Sequence, residues 1–390
     1  MKASNNLQEC VMSNKYDIAA FVWPSYTGKE PRSRMFWQEG IGEWQTVKKM
    51  KPMYEGHLWP RAPLWGYVDE ADPEVMEMQI DEATKHGVNV FIYDWYWFDR
   101  RPFLECCLND GFLGAKNNSK MKFYLMWANH NANHLWNKDL SDSDVADTVI
   151  WQGGINRYDF MQMADRIIDK YFGLENYYTI DGCPVFMIYE LSTFVKGMGS
   201  VEEAVLALNW LKKRVVEKGF KGVHLQLTAR RKGALLNISG VDGAPSLDSA
   251  DIMKLLGIDT VTHYQYVHFV KNINTDYNDI MEEVKPVWES MESEYGVPYF
   301  AHVSLGWDNN PRFNKFIPRV VKNNTPENIE KAFREAKAYT DRLHDRYPDL
   351  PRLITVNSWN EWTETSYLEP DTLYGYGYLE AIKKVFVDEE

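Results

Sequence analysis

The chain of 390 residues has little cysteine: Cys10, Cys106, Cys107 and Cys183, with no C-x-x-C spacing. Four irregularly placed thiols form neither a disulfide framework nor a zinc motif, so they read as free. No stretch approaches the ~18 consecutive apolar residues of a membrane-spanning helix. The start, MKASNNLQECVMSNKYD, lacks a signal-peptide core. As it stands the sequence reads as cytoplasmic; a periplasmic or secreted location follows if a leader has been removed. Basic residues are in deficit: 43 Lys and Arg face 56 Asp and Glu, a net charge of −13. Such a surface repels phosphate backbones and anionic membranes, which argues against both as partners. Linkers rich in Pro, Gly or Ser are missing, as are low-complexity runs and short repeats. Residues 16–390 therefore read as one catalytic domain after an N-terminal extension, 1–15. Oligomeric state is not legible.

Aromatic residues are plentiful: 15 Trp and 23 Tyr against 18 Phe. A core can use Phe, whereas Trp and Tyr also suit half-wet surfaces and can stack on sugar rings. An aromatic-rich core is the plainer account of the same numbers.

Along the chain, strand-like runs alternate with helix-like runs. The strand candidates are 16–23, 88–97, 121–129, 183–190, 222–230, 258–266, 297–307 and 352–359. Helical patterns fall at 73–87, 157–172, 201–219, 249–257, 277–296, 325–347 and 376–388. Pro73 and Gly87 bracket the first, Thr325 and Pro326 open the sixth, and Pro286 predicts a break in the fifth. This alternation argues for parallel strands covered by helices, and eight closes a (β/α)8 TIM barrel with long βα loops. A doubly wound sheet competes, but WPSYTGKEP after the first strand is not the Gly-rich turn such a sheet usually carries.

In a barrel, chemistry gathers where strands end. Those ends carry Tyr26 beyond strand one, Asp94, Tyr96 and Trp97 on strand two, and Trp127, Asn129 and His130 on strand three. Strand four ends in Tyr189 and Glu190, and strand five reaches Arg230. Tyr266 closes strand six, Trp307 and Asp308 strand seven, and Trp359, Asn360, Glu361, Trp362 and Glu364 follow strand eight. We take Tyr26, Asp94, Tyr96, Trp97, Trp127, Asn129, His130, Tyr266, Trp307, Asp308, Trp359, Asn360 and Trp362 as candidate substrate contacts. An aromatic, acidic, amide-bearing rim suits neutral polyols better than phosphates, so an oligo- or polysaccharide is the expected partner.

Glu361 and Glu364 are three residues apart, so a helical turn puts them on one face. Two adjacent carboxylates tend to keep one proton near neutrality. One acid beside one base is what glycoside hydrolysis requires. E-x-x-E is also ordinary solvated charge on exposed helices; its place after a barrel strand, between Trp359 and Trp362, favours the functional reading. His130 and His134 have helical metal-ligand spacing without the glutamate of H-E-x-x-H, so no metal or cofactor is expected. DSDVAD (142–147) reads as helix capping rather than metal binding. Arg312 could pair with a nearby acid as structural support.

SWNEWTETSYLEPD followed by YGYGYLEAI resembles the C-terminal signature of WbsX-like proteins, relatives of the glycoside hydrolase family 99 endo-α-mannosidases. IGEWQTVKKMKPMYEGHLWPRAP, YDWYWFDRRPFLE, WAN at 127–129 and GWDNNPR at 306–312 agree in order. The resemblance implies a (β/α)8 barrel acting on glycans. It implies that Glu361 deprotonates the sugar 2-hydroxyl, which attacks C1 through a 1,2-anhydro intermediate, and that Glu364 is the general acid/base. Two positions depart from the pattern: Thr365 stands where the family commonly has Gly, and His130 follows Asn129 where Glu is common. The WbsX name carries a glycosyltransferase label, which leaves a transferase, and a non-catalytic glycan-binding barrel, as alternatives.

Overall fold

The apolar runs become the staves of a barrel. The computed structural model describes residues 15–230 and 248–389. The N-terminal extension up to its last residue, and Cys10 with it, lies outside the described residues. The barrel strands are β1 (Asp17–Val22), β2 (Val90–Phe98), β3 (Lys122–Trp127), β4 (Cys183–Ile188), β5 (His224–Thr228), β6 (Thr260–Thr262), β7 (His302–Ser304) and β8 (Leu353–Asn357). They pair in parallel in the order β6-β5-β4-β3-β2-β1-β8-β7. A parallel bridge from Val261 to Tyr299, just ahead of β7, brings the two outer strands together. The fold is an α/β barrel of eight parallel strands.

Helices α1 (Pro73–Lys85), α2 (Arg157–Ile167), α3 (Val201–Glu217), α4 (Ser249–Leu256), α5 (Tyr277–Tyr295), α6 (Pro326–Arg346) and α7 (Gly377–Phe386) cover the outside. The link between β2 and β3 carries no long helix: a short strand, Arg101–Phe103, folds back on β2, and a turn of wide helix, Cys107–Phe112, and a 3₁₀ turn, Asn118–Lys120, follow. Local chemistry sets the helix starts: the Asp72 side chain accepts from the Glu74 amide with Pro73 at the first position, and Ser200 accepts from Glu203.

The structure corrects several expectations. Pro286 does not break α5, which runs through it. Pro286 lies on the solvent side, while Ile280, Met281, Val284, Trp288 and Met291 are buried along the other face. Burial of that stripe outweighs the ~3 kcal/mol a helical proline costs. The sixth and seventh strands are three residues each, shorter than the apolar runs at 258–266 and 297–307. DSDVAD caps no helix; its residues form turns, and the Asp142 carboxylate accepts from the Asn314 amide at 2.7 Å. A helix at Leu191–Met198, directly after β4, escaped the periodicity.

Side-chain parity along the strands decides what enters the barrel, because neighbours on a strand face opposite sides. Inside, Tyr124 donates to Gln226 (2.9 Å) and Thr262 meets Thr355 (2.7 Å). Continuing the same parity to the strand ends brings Asp94, Tyr96, Met126, Ala128 and Tyr264 to the rim.

Candidate active site

Beyond β8 the chain forms a small hairpin. Asn360–Glu361 pairs antiparallel with Ser366–Tyr367, and Trp362–Glu364 make one 3₁₀ turn between them. In 3₁₀ geometry residues i and i+3 eclipse, so Glu361 and Glu364 share one side. The turn is pinned at both ends: the Glu361 amide donates to Ser358 Oγ (2.7 Å), and the Asp308 amide donates to the Glu364 carbonyl (2.8 Å). Thr365 leaves the turn at φ +56°, the left-handed region glycine prefers. This is the position where the resemblance expects Gly. Its hydroxyl compensates by donating to the Asp308 carbonyl (2.8 Å) and accepting from the Trp59 indole (3.1 Å).

Both carboxylates line a cavity of about 360 Å³ at the C-terminal end of the barrel. Its aromatic walls are Trp23, Tyr96, Trp136, Tyr189 and Tyr264, and Asp94, His130, Glu190, Arg230, His268 and Arg312 complete the polar lining. Arg312 is the hub. One terminal nitrogen donates to Glu364 Oε1 and the other to Glu361 Oε1, each at 2.7 Å. Its Nε lies 3.5 Å from Glu43 Oε1. Glu43 is itself fixed by the Trp23 indole and by Ser25 and Thr363.

Burial pushes Glu361 well above the usual carboxylate range; the Glu364 charge adds to this and Arg312 opposes it. Burial also raises Glu364, against the pull of Arg312. The pair therefore retains a proton at pH values where exposed carboxylates have lost theirs. Asp94 is raised by burial as well, and one of its oxygens accepts from Tyr264 (2.9 Å). Burial lowers His130; its Nδ1 meets the Asn131 carbonyl at 3.0 Å and its Nε2 the Tyr96 hydroxyl at 3.3 Å.

Asp94, Tyr96, His130, Glu361 and Glu364 are thus brought together in one cavity. The other expected contacts lie elsewhere. Trp97 stacks on Trp95, away from the cavity. Trp127 packs on Phe160 and Phe194, and Asn129 clamps the Glu190 backbone in both directions. Tyr266 is 1% exposed and bonds the His302 carbonyl. Tyr26 accepts from the Trp362 amide and packs on Trp44. Trp359, Asn360 and Trp362 buttress the hairpin from behind, bonding Gln79, Glu70 and Glu369 respectively. Trp307 and Asp308 line a second cavity of about 360 Å³, where His57 Nε2 meets Asp308 at 2.6 Å.

The residues the sequence reading did not select are Trp23, Trp136, Tyr189, Glu190, Tyr264, His268, Arg230 and, in its bridging role, Arg312. Tyr264 follows from inward parity with Thr262; Tyr266 has the same parity but sits in the 3₁₀ turn Tyr266–His268, where strand alternation has ended, and is buried against the His302 backbone and Tyr277. Among the described residues no group of three or more His, Cys, Asp or Glu gathers as a metal site. Nor, among those residues, is any helix long and apolar enough to cross a membrane.

A family model described as Glycosyltransferase WbsX matches residues 18–382. Two proteins of Xanthomonas campestris pv. campestris, from strains B100 and ATCC 33913 and both described as uncharacterized protein WxcX, are 25% identical over 374 residues. The alignment covers 94% of this chain and 49% of each relative, so the chain spans about half their length. Among solved structures, a glycoside hydrolase-like protein aligns over 96% of this chain and 94% of its own at 16% identity, with a TM-score of 0.58. The GH99 endo-α-mannosidase from Bacteroides thetaiotaomicron aligns over 95% of this chain and 96% of its own at 14% identity, with a TM-score of 0.57. At such identities the likeness is one of fold.

Proposed function

The chain belongs to the WbsX family, and we propose that it is a glycoside hydrolase that cleaves α-linked glycans within the chain, using Glu361 and Glu364. The observation that carries this reading is the carboxyl pair itself: Glu361 is buried and Glu364 half-buried, and both are tied to one guanidinium in an aromatic-walled cleft at the barrel rim. Carboxyls so placed can exchange protons with a bound acetal.

In the proposed reaction, Glu361 accepts the proton of the sugar 2-hydroxyl as O2 attacks C1. The C1–O bond to the leaving group breaks, and Glu364 protonates the departing oxygen. Water then opens the 1,2-anhydro ring at C1, giving its proton to Glu364 while Glu361 returns its proton to O2. Two inversions give net retention. Attack by O2 requires a 2-hydroxyl trans to the leaving group, as in an α-mannoside. Of the two carboxyls, Glu361 carries the stronger upward push. A sugar hydroxyl hydrogen-bonded to Glu361 favours its ionised form, which moves the shared proton to Glu364 on binding.

Purified protein incubated with α-mannans and complex α-glycans, with products read by mass, tests this. Free oligosaccharide is expected without any activated donor, and Glu361→Gln and Glu364→Gln each lower turnover by about 10²–10⁴-fold while glycan binding survives. Unchanged turnover in both variants rejects the assignment. A transferase using the same cleft is the second reading, favoured by the family's description. Sugar transfer that depends on a nucleotide-sugar donor, with no hydrolysis, would establish it.

A further inference from the structure

Resting on the glycan-cleft reading above, we propose that the Arg230 wall of the cleft receives an acid group carried by the glycan, so that the natural substrate contains an acidic sugar.

Two guanidiniums line the cleft, and their circumstances differ. Arg312 is committed to Glu361, Glu364 and Glu43. Arg230 pairs with no carboxylate among the described residues. Its guanidinium lies 4.3 Å from the centroid of the Tyr189 ring, beside that residue's hydroxyl, and one terminal nitrogen donates to His268 Nδ1 at 2.9 Å. A ring nitrogen that accepts from arginine carries no proton, so the proton of neutral His268 sits on Nε2. Both residues line the cavity, which gives it a planar fork and an imidazole N–H on the same wall. With one terminal nitrogen on His268 and the Tyr189 hydroxyl beside the group, the guanidinium still has N–H donors left over, and those suit a carboxylate.

Neutral hydroxyls do not call for a full positive charge here. The chain is acidic overall, and Asp94, Glu190, Glu361 and Glu364 face the same cavity. Any acid group on the sugar must therefore be held away from the carboxyl pair. Arg230 directly follows β5 and His268 lies on the 3₁₀ turn Tyr266–His268 after β6, whereas the pair stands on the hairpin after β8. A sugar seated between these walls presents its acid group to Arg230 and its anomeric centre to Glu361 and Glu364.

Affinity tests this independently of turnover. Methyl α-mannuronoside and methyl α-glucuronoside are titrated against methyl α-mannoside and methyl α-glucoside by NMR at pH 7. Wild-type protein is compared with Arg230→Gln and Arg230→Lys, each first matched to wild type by circular dichroism and Tm. The expected result is at least tenfold tighter binding of the uronosides, lost in Arg230→Gln and partly kept in Arg230→Lys. Equal binding of acidic and neutral glycosides, or a preference that survives Arg230→Gln, overturns the assignment. So does inorganic pyrophosphate binding tighter than either uronoside with the same dependence on Arg230, because the wall would then serve an activated donor. Failure to hydrolyse any glycan bears on the hydrolase reading alone and leaves this preference measurable.

Discussion

Replacing Arg312 with methionine keeps a chain of similar length and removes the one charge that both glutamates share. In the folded protein Glu361 and Glu364 are already raised by burial, with Arg312 holding them down. An opposite charge at hydrogen-bonding range moves a carboxylate by about 1–3 pH units. Each unit is about 1.4 kcal/mol, and removing one partner of a buried ion pair costs about 3–5 kcal/mol in all. The sign follows from linkage. A carboxyl raised in the fold binds its proton more tightly there than in the unfolded chain. Its contribution is most favourable below the unfolded value of about 4.3 and is lost as pH rises through the folded value. Arg312→Met raises both groups further, so its deficit against wild type is small near pH 4.5 and grows to several kcal/mol by pH 8. Urea denaturation of both proteins across that range measures the difference directly and needs no substrate. A deficit of the same size at pH 4.5 and pH 8 would refute the reasoning, since it would report lost packing rather than lost charge.

Other consequences are independent of this one. Behind the hairpin, buried Glu70 and Glu369 form a second carboxyl pair: Glu369 is raised to about 7 by burial, and Glu70 is raised well above its usual range by burial and by the Glu369 charge. Glu70→Gln can still accept from Asn360 and donate toward Glu369, so it mimics the protonated acid. It should match wild type in Tm near pH 4.5 and exceed it at pH 8, because wild type loses stability as pH rises through 7; a Tm difference that does not change with pH counts against a shared proton. At the left-handed position after Glu364, Thr365→Ala keeps the backbone strain and loses two hydrogen bonds, worth about 1 kcal/mol each, whereas Thr365→Gly also relieves about 1–2 kcal/mol of strain. Thermal melts should therefore place Thr365→Gly above Thr365→Ala; the reverse order contradicts that account of the turn.

Much of the fold was legible because periodicity carries it. Val90–Phe98 and Lys122–Trp127 are nearly unbroken apolar runs, as parallel strands buried on both faces must be. Pro286 misled because a local rule was outweighed by a stripe of buried side chains that only the packed helix reveals. The site was half legible for a related reason. Naming strand ends finds the rim but not which side of each strand faces inward. Asp94 and Tyr96 share inward parity, and so do Met126 and Ala128, whereas Trp97, Trp127 and Asn129 fall on the other side. Counting by twos from an interior residue such as Tyr124 would have separated them. Arg312 and Glu43 could not be matched to the glutamates by any spacing, since loops far apart in sequence bring them together. The Thr365 departure, by contrast, was visible in the sequence, and the positive φ there shows why glycine is the expected residue.

The central claim is that Glu361 and Glu364 cleave an α-glycosidic bond with the sugar's own 2-hydroxyl as nucleophile. Time-resolved proton NMR of the first product from an active α-manno substrate, beside its 2-deoxy analogue at the cleaved sugar, tests it most directly. The account predicts that the α-anomer appears first and that the 2-deoxy analogue binds without being cleaved. Initial release of the β-anomer, or ready cleavage of the 2-deoxy analogue, would contradict it.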